Sequence, residues 1–217
     1  MHSLEEGFFH SFPDRSGREF PRLDLGGATD GSVIAFLFEH FEIEDHDDHR
    51  AHFFHHYERT LERKLKESEE AGKGRVLPGI PELLAELARR HHDFVLALLT
   101  GNTEAGARIK LRSYGLDSFF ATGAFGSDHH DRNALGPIAI DRAEKALGRS
   151  FPATKALVIG DTEKDIACAR ACGAKVVAVA TGAAPRERLL EASPDGMLED
   201  LSSLPESIEL FERLLEL

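Results

Sequence analysis

Three short polar stretches carry the residues best suited to chemistry, and each follows an apolar run. In VIGDTEKDIACARACGA (158–174), Gly160 allows a sharp exit from the run, Asp161 stands at its tip, and Asp165 returns to the same side on the first turn of a helix. Two carboxylates so placed are hard oxygen ligands suited to Mg²⁺. The same residues also suit an ordinary helix start, with Asp161 or Thr162 as the cap and Asp165 near the positive end of the helix dipole. In LALLTGNTEAGARIKL (96–111), Thr100, Gly101 and Asn102 lead into a helix that starts at Thr103 and Glu104. A hydroxyl beside free backbone N–H groups at such a turn is what a phosphate group needs, although a plain strand-to-helix turn has the same residues. In AFGSDHHDRNALGPIAIDRAEKALG (124–148), Arg132 is a candidate positive charge for a phosphate pocket, or the partner of Asp131 or Asp128 in a surface ion pair.

The apolar runs that position these residues are 94–100, 119–125, 155–161 and 174–182, separated by helical segments. Continuous apolar runs of that length predict a parallel sheet covered by helices on both faces. Ligands bind such sheets at the carboxyl ends of the strands, which is where Thr100–Asn102, Gly126–Asp128, Gly160–Thr162 and Thr181–Gly182 fall. The earlier part of the chain has helical spacing, with Leu4, Phe8, Phe9 and Phe12 on one side of a first helix that begins near Met1. The polar stretch 70–75 suits a connection, and Pro78 and Pro81 open the next helix. The expected division is a helical part, 1–75, and an α/β part, 76–217.

The chain has 217 residues, 41 % hydrophobic and 29 % charged, enough to bury a sizeable core. With 38 acidic against 26 basic residues the net charge is −12, which argues against nucleic acid and anionic membranes as partners. A small anionic substrate then requires a pocket in which a metal or basic side chain reverses the sign. No apolar run is long enough to span a membrane and the start is acidic, so the expected location is cytoplasmic. Cys168 and Cys172 read as buried small side chains. His46, His49, His52 and His55 recur every three residues, a spacing that drifts around a helix and suits its surface or a cleft wall better than a zinc site.

Together, Thr100 after one strand, Arg132 before a helix, and Gly160, Asp161 and Asp165 as a strand ending in GDxxxD resemble the haloacid dehalogenase-like hydrolases, in the phosphoglycolate-phosphatase-like branch. VLPGIPELLAEL (76–87) resembles the return from the helical cap to the core, and LGGATDGSVIAFL (25–37) resembles part of that cap. The resemblance implies a parallel, Rossmann-like three-layer core with a helical cap subdomain, and a Mg²⁺-dependent phosphatase acting on a small phosphorylated metabolite. It further implies that Thr100, Gly101 and Asn102 hold the phosphoryl oxygens and Arg132 neutralises developing charge. Asp161 and Asp165 would serve the metal, with Asp165 orienting water or the basic side chain.

The family's first motif, an apolar strand followed by DxDGT, is not in the sequence. That motif supplies the nucleophilic carboxylate and the general acid–base. Arg22–Thr29 (RLDLGGAT) is a poor substitute, since Gly26 and Ala28 replace the second Asp and the Thr. The expectation is therefore a chain that starts downstream of the native start and lacks the central catalytic strand. Two strand edges would then be left unpaired, with the metal ligands halved.

Overall fold

A computed structural model describes residues 3–217. Met1 and His2, where the first helix was expected to begin, lie outside the described residues. The first third is helical: α1 (Ser3–Ser11), α2 (Asp30–His40) and α3 (Asp47–Glu70). Their apolar stripes meet in an aromatic core in which Phe8, Phe38, Phe41 and Phe53 are fully buried, and the Phe8 and Phe41 rings lie 4.6 Å apart. Helix α1 approaches α3 closely enough that a Cβ on Gly7 would fall 2.8 Å from the Tyr57 Cα. His46, His49 and His52 bond to backbone groups. His46 caps the helix by accepting from the His49 N–H, His49 bonds the Glu44 carbonyl, and His52 bonds the Ser11 carbonyl.

From residue 80 helices and strands alternate: α4 (Ile80–Arg89), β1 (Ala97–Leu99), α5 (Glu104–Ser113), β2 (Thr122–Ala124), α6 (Leu135–Leu147), β3 (Leu157–Gly160), α7 (Glu163–Cys172), β4 (Lys175–Val179), α8 (Arg186–Glu191), β5 (Gly196–Leu198) and α9 (Leu204–Leu215). All pairings are parallel, in a two-stranded sheet β1-β2 and a three-stranded sheet β3-β4-β5. Strand β4 has side chains buried on both faces, as the apolar run predicts. Val177 and Val179 pack under α4 and α9, while Val176 and Ala178 pack under α7 and α8. The layering is thus helix, sheet, helix. Helix α6 covers the β1-β2 sheet through Leu135 and Ala139.

The strands are shorter than the runs that contain them, and β1 and β3 each pair on one side only. Both depart from full burial: Ala97 is exposed and Ile159 keeps 39 % of its surface. A parallel strand with one free edge lacks half its ladder, so its ends are not held in register and pairing stops early. Strand β5 is a short GML segment that no apolar run announces. No helix among the described residues is long and apolar enough to cross a membrane.

Candidate active site

The tips of β1 and β2 are drawn together by glycine. Beyond β1, the Thr100 N–H donates to the Ala124 carbonyl (3.1 Å), and the Gly126 N–H donates to Asn102 (2.7 Å). A Cβ at Gly126 would stand 1.9 Å from the Gly101 oxygen, and one at Gly101 would stand 2.0 Å from the Ala28 oxygen. Backbone therefore lies directly on backbone, which only glycine permits. The segment Gly27–Asp30, leading into α2, crosses these tips. Its contacts are Asp30 N–H to Gly101 O (2.6 Å), Thr29 Oγ1 to His130 O (3.0 Å) and Arg132 Nη1 to Gly27 O (3.4 Å). Gly27 has φ of +61° and sits against Thr162 and Lys164.

At the tip of β3, Gly160 leaves room for α7 to fold back, since a Cβ there would meet the Asp165 Cβ at 2.3 Å. Asp165 and Thr162 form a reciprocal capping box on α7. The Asp165 Oδ2 accepts the N–H groups of Asp161 (3.1 Å) and Thr162 (3.0 Å) and the Thr162 hydroxyl (2.7 Å). Its Oδ1 accepts from Arg132 Nη2, so Arg132 pairs with Asp165, while Asp128 is held by both nitrogens of Arg142 (2.7 Å each). Asp165 is thus a helix start and the partner of the basic residue, and both its oxygens, expected beside Asp161 for the metal, are engaged within the protein. Arg132 is 14 % exposed in its side chain, and its Nε is buried without a partner among the described residues.

Asp161 is different. Its carboxylate joins no ion pair among the described residues, and Gly182 lies so close that a Cβ would fall 2.2 Å from Oδ2. Burial, then the neighbouring Asp165 charge, push its pKa above the ordinary carboxylate value, with Arg132 pulling the other way. An oxygen ligand without a cation partner, in a cramped and partly desolvated position, fits a divalent ion. It is one carboxylate, however, and no group of three or more His, Cys, Asp or Glu suited to a metal occurs among the described residues. Beside it runs a cleft of about 250 Å³ lined by Leu77, Ile159, Asp161, Val179, Thr181 and Leu201.

Thr100 lies at the far side of this group of turns. Its Oγ1 accepts from Asn102 twice, from N–H (3.2 Å) and from Nδ2 (2.8 Å), and the Asn102 Oδ1 accepts from Lys110 Nζ. The Asp30 carboxylate accepts the Thr103 N–H at 2.8 Å. Lys110 and Asp30 escape a reading of motifs because neither sits in one. The available signal is the spacing of Gly106, Ala107 and Lys110, which puts Lys110 on the inward face of α5. Cys168 is fully buried, as expected, and donates its thiol to the Arg132 carbonyl (3.1 Å).

Residues 132–204 match the family model described as HAD-hydrolase-like. The chain is 29 % identical over 174 residues to a phosphoglycolate phosphatase of Mesorhizobium japonicum, covering 80 % of this chain and 69 % of that protein. It is 28 % identical to a phosphoglycolate phosphatase of Synechococcus elongatus, where 61 % of this chain meets 59 % of that one. The chain thus spans 69 % and 59 % of the length of these two relatives. Among solved structures, a hydrolase from Pseudomonas syringae superposes with a TM-score of 0.66 at 20 % identity, covering 95 % of this chain and 89 % of that chain. CbbY from Rhodobacter sphaeroides in complex with phosphate has a TM-score of 0.63 at 15 % identity, covering 93 % and 88 %. The α/β fold is shared with these two solved structures.

Proposed function

We propose that this chain, similar in sequence and in fold to the haloacid dehalogenase-like hydrolases, is the cap and phosphate-handling portion of a Mg²⁺-dependent phosphatase of small phosphate monoesters, with residues 1–75 as the cap and 76–217 as the core. The observation that carries the reading is the convergence of Thr100, Arg132 and Asp161 on one end of the sheet, beneath the segment Gly27–Asp30. In this reading Thr100 and the Gly101 N–H donate to phosphoryl oxygens, and Asn102 acts through Thr100. Arg132, held by Asp165, faces the charge that grows as the ester bond breaks. Asp161 contributes an oxygen ligand, and what a bound Mg²⁺ supplies is neutralisation of phosphoryl charge. The cap segment over the strand tips excludes bulk water.

The nucleophilic carboxylate is supplied by an apolar strand carrying DxDGT from outside residues 1–217. We place that strand between the free edges of β1 and β3, so that its tip lies between Thr100 and Asp161 and completes the ligand set. The test is to translate the codons upstream of Met1, append the encoded segment, and assay turnover of p-nitrophenyl phosphate with and without Mg²⁺. The expected result is Mg²⁺-dependent hydrolysis that falls at least about 100-fold in Asp161→Asn, as for loss of one charge-stabilising group. If upstream codons encode no such strand and the chain with an added DxDGT strand stays inactive, the phosphatase reading falls. A non-catalytic protein of the same fold, acting through binding, then takes its place.

A further inference from the structure

The hydrogen bonds around Thr100 have a direction. Its Oγ1 accepts two bonds from Asn102 and donates to none of the described residues, so its proton is left for an acceptor outside this group. The Asn102 amide decides this, because with Oδ1 and Nδ2 exchanged the hydroxyl would donate inward to Asn102. A lysine ammonium is donor-only, so Lys110 can meet Asn102 only at Oδ1, leaving Nδ2 for Thr100. We propose that Lys110 is a positioning residue that, through Asn102, holds the Thr100 hydroxyl as an outward donor to the anionic group bound at the tip of β1. This rests on the reading above that Thr100 meets a phosphoryl oxygen.

Burial and the Asp30 carboxylate act on Lys110 in opposite senses, the first pushing its ammonium pKa down and the second pulling it back up. Asp30 is the first residue of α2 and is itself fixed by the Thr103 N–H at the head of α5. The start of the cap thus contributes the counter-charge for a residue that orients a group of the core.

The test reads the amide and the ligand separately. In ¹⁵N-labelled protein, the Asn102 side-chain amide protons should show contacts to the Thr100 side chain that vanish in Lys110→Met and persist in Lys110→Arg. Inorganic phosphate, titrated by NMR, should bind about tenfold more weakly in Lys110→Met, the worth of one hydrogen bond to a charged group. Asn102→Asp should lose the same factor although its partner Lys110 is retained, because its carboxylate can only accept from Thr100. In Thr100→Val, adding Lys110→Met should change affinity by less than about twofold, as two changes acting through one group are not additive. Unchanged amide contacts in Lys110→Met, or unchanged phosphate affinity where the wild type binds it, overturns the proposal. Loss of the amide contacts in a protein whose wild type binds no phosphate supports the positioning of Asn102 by Lys110 and overturns the reading that Thr100 of this chain meets a phosphoryl oxygen.

Discussion

Asp161 and Asp165 lie four residues apart in sequence, yet removing each should have different consequences for stability. Asp165 is 6 % exposed, caps α7 and neutralises Arg132. Truncating it to alanine leaves a buried guanidinium unpaired as well as a helix end uncapped, a loss of about 3–5 kcal/mol. Asp161 has no cation partner among the described residues, and its charge is disfavoured by burial and by Asp165. Asp161→Asn should therefore melt within about 0.5 kcal/mol of the parent or slightly above it. Paired urea denaturations measure both, and equal losses would contradict the division of labour between the two carboxylates. The GDxxxD spacing in the sequence announces both residues but cannot say which is spent inside the fold. That depends on Arg132, whose approach to Asp165 comes from a segment 33 residues away.

At the scale of elements, the seam between the first helices and the sheet is made of backbone against backbone at Gly101 and Gly126. Gly126→Ala would force a methyl group to 1.9 Å from a carbonyl oxygen that has no side-chain freedom to yield. The expected cost is about 2–3 kcal/mol with a local shift of the Thr100 turn. Gly148 is the contrast, with φ of +63° and open space around it. Gly148→Ala should cost only the left-handed backbone penalty, about 1–2 kcal/mol, and leave the Thr100 turn in place. Thermal melts with amide spectra of residues 100–102 separate the two. Helices α1 to α3 and strands β1 to β4 are legible in the sequence because their apolar spacing is local. The crossing of Gly27–Asp30 over the strand tips is not, since a glycine-rich stretch carries no periodicity and its partners are distant.

For the molecule as a whole, the sheet is divided. Strand β4 has a partner on each side, whereas β1 and β3 have one each. Hydrogen exchange should follow that division. Amides of Val176–Val179 should open only with global unfolding, while the outward amides of β1 and β3 exchange at least about 100-fold faster through local opening. Binding of an added parallel strand would bring both edges to the protection of β4. Uniform protection without one would contradict the free edges. The sequence foretells these edges only through the motif it lacks, since nothing in the runs 94–100 or 155–161 marks a strand as unpaired.

The hydrogen bonds that tie Gly27–Asp30 to the strand tips join positions 73, 101 and 105 residues apart. The β3-β4-β5 unit, by contrast, closes within a short span of chain through successive parallel pairings. Loop closure grows costlier with separation, so local units consolidate before distant ones meet. During synthesis the first helices leave the ribosome well before the residues they will rest on exist. The region where Thr100, Arg132 and Asp161 gather should then be the last part of the molecule to be assembled, after the first helices and the β3-β4-β5 unit have each formed.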